Sequence, residues 1–566
     1  MRRWSEIAGR VAATTKTSEK TAILAGYLGA LSPQDLPVAA VFLTGRAFPE
    51  VDQRSLGVGW AGLAGAVLRV AGAGETALRE AYDRSSDIST AVVEVLEAAG
   101  HAPDPAGEPA LLEVRAAFDA IEAASGAAAK AAILEALLAR SSPGTAGAIV
   151  KVLGGELRIG LREGLLEAAI ARAFDRSPAA VKRAGMLTGD VGRTALLARD
   201  DRLAEAALTL FHPLKFMLAS PAEDAAEIIA RLGPVVWVED KYDGIRAQLH
   251  RSGDEARLYS RDLHDISGQF PEVVEGARDL PWAGILDGEL LAWKDGAVLP
   301  FQQLQARLGR KAPSAGIRAE VPVIFVAWDV LGLDADADRE VRPLLEAPLA
   351  ERRRILEGLA LPLAADGGRF ALSHLVSADS PEALEAAFAQ ARARRNEGLM
   401  VKDPASAYSP GRRGLGWLKM KKALATLDCV VVGVEVGHGK RHGVLSDYTF
   451  AVWDEETGAL VTIGKAYSGL TDAEIAEMTA WFEAHTISIH GRYRVVEPTV
   501  MVEIAFDVIM RSTRHRSGFA LRFPRIVRLR TDKPAAEADG LAAVRALYEG
   551  LQQGAEHLVA TGAGTS

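Results

Sequence analysis

One run of eight residues, Glu239-Asp240-Lys241-Tyr242-Asp243-Gly244-Ile245-Arg246, combines side chains that could do covalent chemistry. The apolar stretch Val235-Val236-Trp237-Val238 before it reads as a strand, which would hold Lys241 at a sheet edge facing a pocket. An acid, a glycine suited to a tight turn and an arginine follow. A lysine amine at its reference pKa of about 10.4 is protonated and a poor nucleophile. Cationic neighbours or desolvation lower that pKa and make the amine reactive. By itself, K-x-D-G equally describes a surface turn with an ion pair, because short motifs recur by chance.

The elements around this segment fall into three textures. The first two hundred residues read as helical. Ser32-Pro33-Gln34-Asp35 looks like a helix start, and Ala128 to Arg140 places Ile133, Leu134, Leu137 and Leu138 on one face. Gly160 to Phe174 repeats the spacing through Leu161, Leu165, Ala169 and Ala173. From about residue 206 strand candidates such as Ile285-Leu286 and Val323-Ile324-Phe325-Val326 mix with a helix at Pro381 to Arg395, an α+β pattern. After residue 422 short strands dominate: Cys429 to Val436, Tyr448 to Trp453, Leu460 to Ile463 and Val500 to Phe506, with one inserted helix at Ala473 to Ala484. That pattern fits a small Greek-key barrel. The expected division is 1–205, 206–422 and 423–566, ending in a frayed tail.

Composition agrees with a multi-domain chain. It has 566 residues, and single cores usually stop growing at roughly 250–300. One cysteine, Cys429, excludes an internal disulfide and a zinc site of paired CxxC motifs. No uncharged apolar run approaches the ~20 residues of a membrane span, so a soluble, cytoplasmic protein is expected. The net charge of −9 would argue against a polyanionic partner. Its distribution argues otherwise. Arg511 to Lys533 holds seven Arg and one Lys against one Asp, interleaved with Phe519, Phe523 and Val527. This suggests a segment that lays its apolar side on the barrel and turns guanidinium groups outward.

Further segments follow the lysine motif in order: Ser260-Arg261, Leu286-Asp287-Gly288-Glu289, Val326-Ala327-Trp328-Asp329, Glu397-Gly398-Leu399-Met400-Val401-Lys402, Trp417-Leu418-Lys419-Met420-Lys421 and Arg530-Thr531-Asp532-Lys533. Together they resemble the ordered motifs of the ATP-dependent DNA ligases, a family of lysine-dependent covalent nucleotidyltransferases. Gly155-Glu156-Leu157-Arg158-Ile159-Gly160-Leu161 is similar to the signature of that family's helical DNA-binding domain. The resemblance implies an all-α DNA-binding domain, an α+β adenylyltransferase domain of ATP-grasp-like nucleotidyltransferase type, and an all-β OB-fold barrel. It implies a monomer that encircles nicked double-stranded DNA.

The implied chemistry is attack of a lysine on ATP, passage of AMP to a 5′-phosphate at a nick, and closure by the 3′-hydroxyl. Lys241 would be the nucleophile. Glu239 would reach the adenine through side chain or backbone, and Glu289 the ribose. Arg246, Arg261 and Arg413 would contact nucleotide or nick phosphate, and Lys419 and Lys421 the α-phosphate. Glu397, with Glu289, would hold Mg2+. Arg530, Asp532 and Lys533 would orient the pyrophosphate. Arg158, Lys440 and Arg441 would meet DNA, with Lys151 and Arg162 as weaker candidates.

Some positions carry two readings. Trp328 either stacks on the adenine or fills the core, and Asp287 either serves the site or caps the turn into Gly288. His438 and His442 flank Gly439-Lys440-Arg441, and a basic loop fits better than a zinc site there. An mRNA-capping guanylyltransferase shares the lysine motif but not the helical domain, and an NAD-dependent ligase normally needs four cysteines. A non-catalytic DNA end-binding protein is the alternative of another class.

Overall fold

The alanine- and leucine-rich start of the chain folds as twelve α-helices among the described residues, from Arg2–Ala13 to Val191–Arg199. The computed structural model describes residues 1–549 apart from 53, 86, 156, 295, 311, 335–339, 395, 421–424, 438–440 and 442. The chain divides into two compact units, Met1–Leu384 with Met400–Lys419, and Glu385–Leu399 with Met420–Ser566. The change of texture near residue 205 lies inside the first unit. There the helical core, with Trp4 edge-on to Phe42 and Phe42 edge-on to Phe118, continues through Leu208, Leu210 and Leu214 towards the strands. Among the described residues no helix is long and apolar enough to cross a membrane.

Local physics moves two helix starts. The helix expected from Pro33 runs Asp35–Phe42, although the Ser32 hydroxyl still accepts the Asp35 N–H at 3.0 Å, as a capping group does. The helix expected from Gly160 runs Glu163–Ala173, because Gly160 adopts φ +62° and breaks the preceding turn. Its buried face is therefore Leu166, Ala169 and Ile170 rather than the stripe from Leu161 to Ala173.

After the helices, two sheets carry the chemistry-bearing motifs. The larger has eight strands, with Val323–Leu333, Gly284–Lys294, Ile245–Ser252 and Glu255–Ser260 in that lateral order. The smaller has five, ordered Leu375–Ala378, Val236–Lys241, Gly398–Lys402, Arg413–Met420 and Leu218–Ala222. Val236–Lys241 and Ile245–Ser252 belong to different sheets, so the chain crosses between them at Tyr242-Asp243-Gly244. Gly244 answers a demand for space and not for a left-handed backbone. A Cβ there would lie 2.4 Å from the Leu290 carbonyl oxygen and 2.7 Å from Glu289 Cγ. Gly288 likewise lies mid-strand and not in a turn, with the Val326 carbonyl 2.4 Å from where its Cβ would be. Asp287 therefore caps no turn.

The second unit is β-rich. A seven-stranded sheet runs Ala459–Ala466, Leu445–Asp454, Ala425–Val436, Tyr493–Val496 and Thr486–His490, and Met501–Phe506 pairs both with Ala425–Val436 and with Arg525–Leu529. The helix Asp472–Ala484 starts with a reciprocal Thr471–Glu474 capping box. The basic stretch departs from its expected pattern. Phe519, Leu521 and Ile526 face the core, whereas Phe523 and Val527 are exposed. Arg525 and Arg528 are exposed as expected and pair with Asp507 and Glu503, whereas Arg530 is turned in, its side chain 9% exposed against Asp428.

His250, on the strand that begins with Ile245, is fully buried; its Nδ1 accepts the Phe211 N–H at 3.0 Å. Burial, with a smaller push from His212, lowers its pKa from 6.5 to about 3. The unfolded chain therefore takes up a proton that the folded chain refuses. The stabilisation is complete above pH 6.5 and is lost as pH falls towards 3, at up to about 1.4 kcal/mol per pH unit. Urea unfolding at pH 6 and pH 5 should show this slope, and His250→Asn should flatten it. An unchanged slope in the variant would overturn the assignment.

Candidate active site

The two sheets wall a cavity of about 190 Å3. The smaller sheet contributes Ala219, Glu239, Lys241, Lys402, Arg413, Trp417 and Lys419, and the larger one Arg246, Glu289 and Trp328. Arg261 reaches in from the turn after Glu255–Ser260. Thus Lys241, Glu239, Arg246, Arg261, Glu289, Trp328, Arg413 and Lys419, drawn from segments far apart in sequence, line one pocket. Strand alternation explains part of the selection: Glu239 and Lys241 lie two apart, as do Trp417 and Lys419, so each pair shares a face. Arg246 stands directly opposite Glu289 across the antiparallel pair.

Within the cavity the charges are already organised. Arg246 donates from Nε and Nη2 to the two oxygens of Asp287, at 3.1 and 2.7 Å, and from Nη1 to the Met217 carbonyl at 2.7 Å. Its guanidinium lies over Phe216 and Trp328. The Tyr408 hydroxyl donates to Asp287 Oδ2 at 2.8 Å and accepts the Met217 N–H at 3.1 Å. Burial works against the Arg246 charge, yet Asp287 outweighs it and holds the pKa above its ordinary value. Burial, reinforced by Asp287, pushes the Tyr408 phenol well up, so it remains a hydrogen-bond donor. Arg246 thus spends these donors on the protein, and Asp287 is the buried anchor that receives them.

Glu239 is also committed. Lys402 Nζ lies 2.5 Å from its Oε2, and Arg353 lies 3.9 Å from Oε1. Its carboxylate is thus engaged within the protein, which leaves the backbone as the route by which Glu239 could meet a ligand. Trp328 is 9% exposed; it belongs to the core and also lines the cavity. Trp328 and Trp417 line the cavity, and the Nε1 of each is a buried donor with no hydrogen-bond partner among the described residues. Such orphaned donors suit a polar ligand.

Other expected site residues lie elsewhere. Glu397, Arg441, Arg530, Asp532 and Lys533 belong to the second unit. There Arg530 and Lys533 both grip Asp428, and Arg530 also grips Asp532, whose carboxyl it holds well below the usual range. Arg441 donates to the Tyr467 carbonyl. Arg158, at φ +51°, lines a groove of the helical region with Trp60, Tyr82, Arg79 and Lys151. Lys421, Lys440, His438, His442 and Glu156 lie outside the described residues, as does the tail after 549. Sequence alone assigns no role to Lys402, Trp417 or Tyr408. Lys402 and Trp417 are detectable, since each falls inside one of the ordered motifs; Tyr408 has no such signal.

A family model for the ATP dependent DNA ligase domain matches residues 216–421. Models for the DNA ligase N terminus and the ATP dependent DNA ligase C terminal region match residues 1–171 and 441–533. The chain is 46% identical to a probable DNA ligase of Koribacter versatilis, covering 95% of each protein. It is equally identical to a probable DNA ligase of Opitutus terrae, but spans 62% of that protein's length, with 96% of this chain aligned. A DNA ligase of Archaeoglobus fulgidus is 32% identical over 96% of this chain and 98% of its own. A solved structure named Pmar-Lig_PreS3 shares the fold, with a TM-score of 0.60 at 16% identity over 93% of this chain and 99% of that one.

Removing the Asp287 charge strands Arg246 among buried partners. Asp287→Asn should lower stability by about 3 kcal/mol in urea unfolding. A loss below about 1 kcal/mol would mean that the guanidinium finds another partner.

Proposed function

The chain belongs to the ATP-dependent DNA ligase family, and from that premise we propose that Lys241 carries AMP between ATP and a nick in duplex DNA. The supporting observation is the company Lys241 keeps: three cations (Arg261, Arg413 and Lys419), a carboxylate at Glu289 and the aromatic face of Trp328 in one cavity. Phosphoryl transfer needs in-line positioning and cations where charge accumulates, and little else. The Lys241 amine attacks the α-phosphorus of ATP; the bond to pyrophosphate breaks and lysyl-AMP forms. A DNA 5′-phosphate attacks the same phosphorus and releases the lysine. The 3′-hydroxyl then attacks the DNA phosphate, expels AMP and closes the strand.

Lys419, with Lys421, neutralises the α-phosphate, Arg261 and Arg413 take the nucleotide or nick phosphate, Glu289 binds the ribose and Trp328 stacks on the adenine. Arg246 acts as a positioning residue, through Asp287. Among the described residues no cluster of three or more His, Cys, Asp or Glu side chains could hold a metal alone. Magnesium takes one or two carboxylates plus phosphate oxygens and keeps its waters, and the Glu289 carboxylate in the cavity lining is a donor of that kind. Glu289 and Glu397 would hold it, and when bound it supplies charge neutralisation on the phosphates. The remaining assignments complete the reading: domains at 1–205, 206–422 and 423–566, the last an OB-fold; Arg530, Asp532 and Lys533 orienting pyrophosphate; Arg158, Lys440 and Arg441 on DNA; a cytoplasmic monomer encircling its substrate.

Incubation with α-labelled ATP and magnesium, then denaturing electrophoresis, tests the proposal. The chain should retain label, Lys241→Ala should lose it, and Trp328→Ala should need about tenfold more ATP for half-maximal labelling. Label from GTP in place of ATP would favour a capping enzyme. No label from any nucleotide would sink the covalent mechanism.

A further inference from the structure

A second cavity, of about 250 Å3, lies in the first unit between the helical region and the nucleotide-binding sheets. Its lining is unusually charged for an interior surface. On the sheet side are Lys215 and Arg412, and on the helical side Glu50, Glu163 and Glu167. Lys215 Nζ lies 2.5 Å from Glu50 and 2.8 Å from Glu163, and Arg412 pairs with Glu167. Glu163 and Glu167 are one helical turn apart on Glu163–Ala173, so they present their carboxylates together.

Three features mark this contact as separable. Permanent interfaces are filled, whereas this one leaves a void with ion pairs set among its apolar lining. Burial pushes the Glu167 carboxyl up even with the Arg412 guanidinium against it, so the acid loses more by desolvation than the pair returns. Glu50 also has a second partner on its own side, Arg46 at 3.0 Å, and need not be stranded if Lys215 leaves. Apolar contact between the two parts includes the packing of the helix Pro178–Thr188 on Leu208–Thr209, beside the connecting segment. That side has the character of a hinge.

Lys215 and Arg412 are also well placed for substrate. They are 31% and 34% exposed. Each precedes a strand of the smaller sheet, and those strands are joined there by Leu218 N–H to Arg412 carbonyl and Gly411 N–H to Phe216 carbonyl bonds. Arg412 is followed directly by Arg413, which lines the nucleotide cavity. We propose that Lys215 and Arg412 form a binding site for DNA backbone phosphates beside the nick, masked in the DNA-free enzyme by Glu50, Glu163 and Glu167 standing in for those phosphates. DNA exchanges phosphate for carboxylate at both cations and frees the helical region to swing about its apolar side. This inference rests on the ligase reading for its substrate.

Opposite signs test it. A nicked duplex with a 3′-dideoxy end is titrated without ATP across a salt series. Glu163→Gln/Glu167→Gln should tighten binding about three- to tenfold, because the competing carboxylates are gone. Lys215→Gln/Arg412→Gln should weaken it by at least about tenfold and make the log–log salt slope shallower by about two. Glu50→Gln, a milder change in a loop, should tighten binding about twofold. Weaker or unchanged binding in the glutamate variants, or an unchanged salt slope in the cation variants, would overturn the masked site. Lysyl-AMP formation without DNA is measured in every variant. Normal labelling with the wrong signs defeats the mask alone, whereas no labelling in the unsubstituted chain defeats the ligase chemistry instead.

Discussion

The grip of Arg246 on Asp287 is the contact on which the nucleotide cavity depends. Both residues belong to the larger sheet, but the groups they recruit do not. Met217 immediately precedes Leu218–Ala222, and Tyr408 lies on the segment leading to Arg413–Met420, both strands of the smaller sheet. One guanidinium, one carboxylate, one phenol and the backbone N–H and carbonyl of Met217 thus suture the two walls. A second buried pair, Arg352 with Asp329, adds to this by donating also to the carbonyl of Ser406 in the same segment. Buried ion pairs seldom add much net stability, but breaking one is costly, so they select one arrangement of the walls over others.

That selection matters because the cavity collects like charges. Arg261, Arg413, Lys419 and Lys241 repel one another, and holding them together without a polyanion needs fixed counter-charge nearby. The protein places it behind the cavity lining: Asp287 under Arg246 and Glu239 under Lys402. Arg261, Arg413, Lys419 and Lys241 line the cavity itself. At the helical contact the same problem is solved reversibly, with carboxylates that come from a part able to move away.

Much of the site is legible in the amino-acid sequence. The ordered motifs name most of the residues that line the cavity, because most of them sit on or directly after a strand whose two-residue alternation is readable. The departures have identifiable causes. Asp287 and Gly288 read as a turn, whereas they lie in a strand that must pass within contact of the Val326 carbonyl. Phe523 and Val527 read as core on alternation alone, but an irregular register between Glu503 and Ile504 of the partner strand and φ +55° at Phe523 reset which side faces inward. Glu239 reads as a ligand contact, yet its carboxylate is the partner of Lys402.

The sequence by itself determined the ordered motifs that begin at Lys241, the helical, mixed and β-rich textures, and where many of the strands run. These follow from covalent order and local periodicity, which need no knowledge of distant neighbours. Only the tertiary structure decided which charges are spent internally and which face the cavity. Tyr408 beneath Asp287, Lys402 beside Glu239 and Glu167 against Arg412 are 121, 163 and 245 residues apart. Desolvation and pairing act through space, and a linear pattern carries no record of which buried carboxylate each cation will meet.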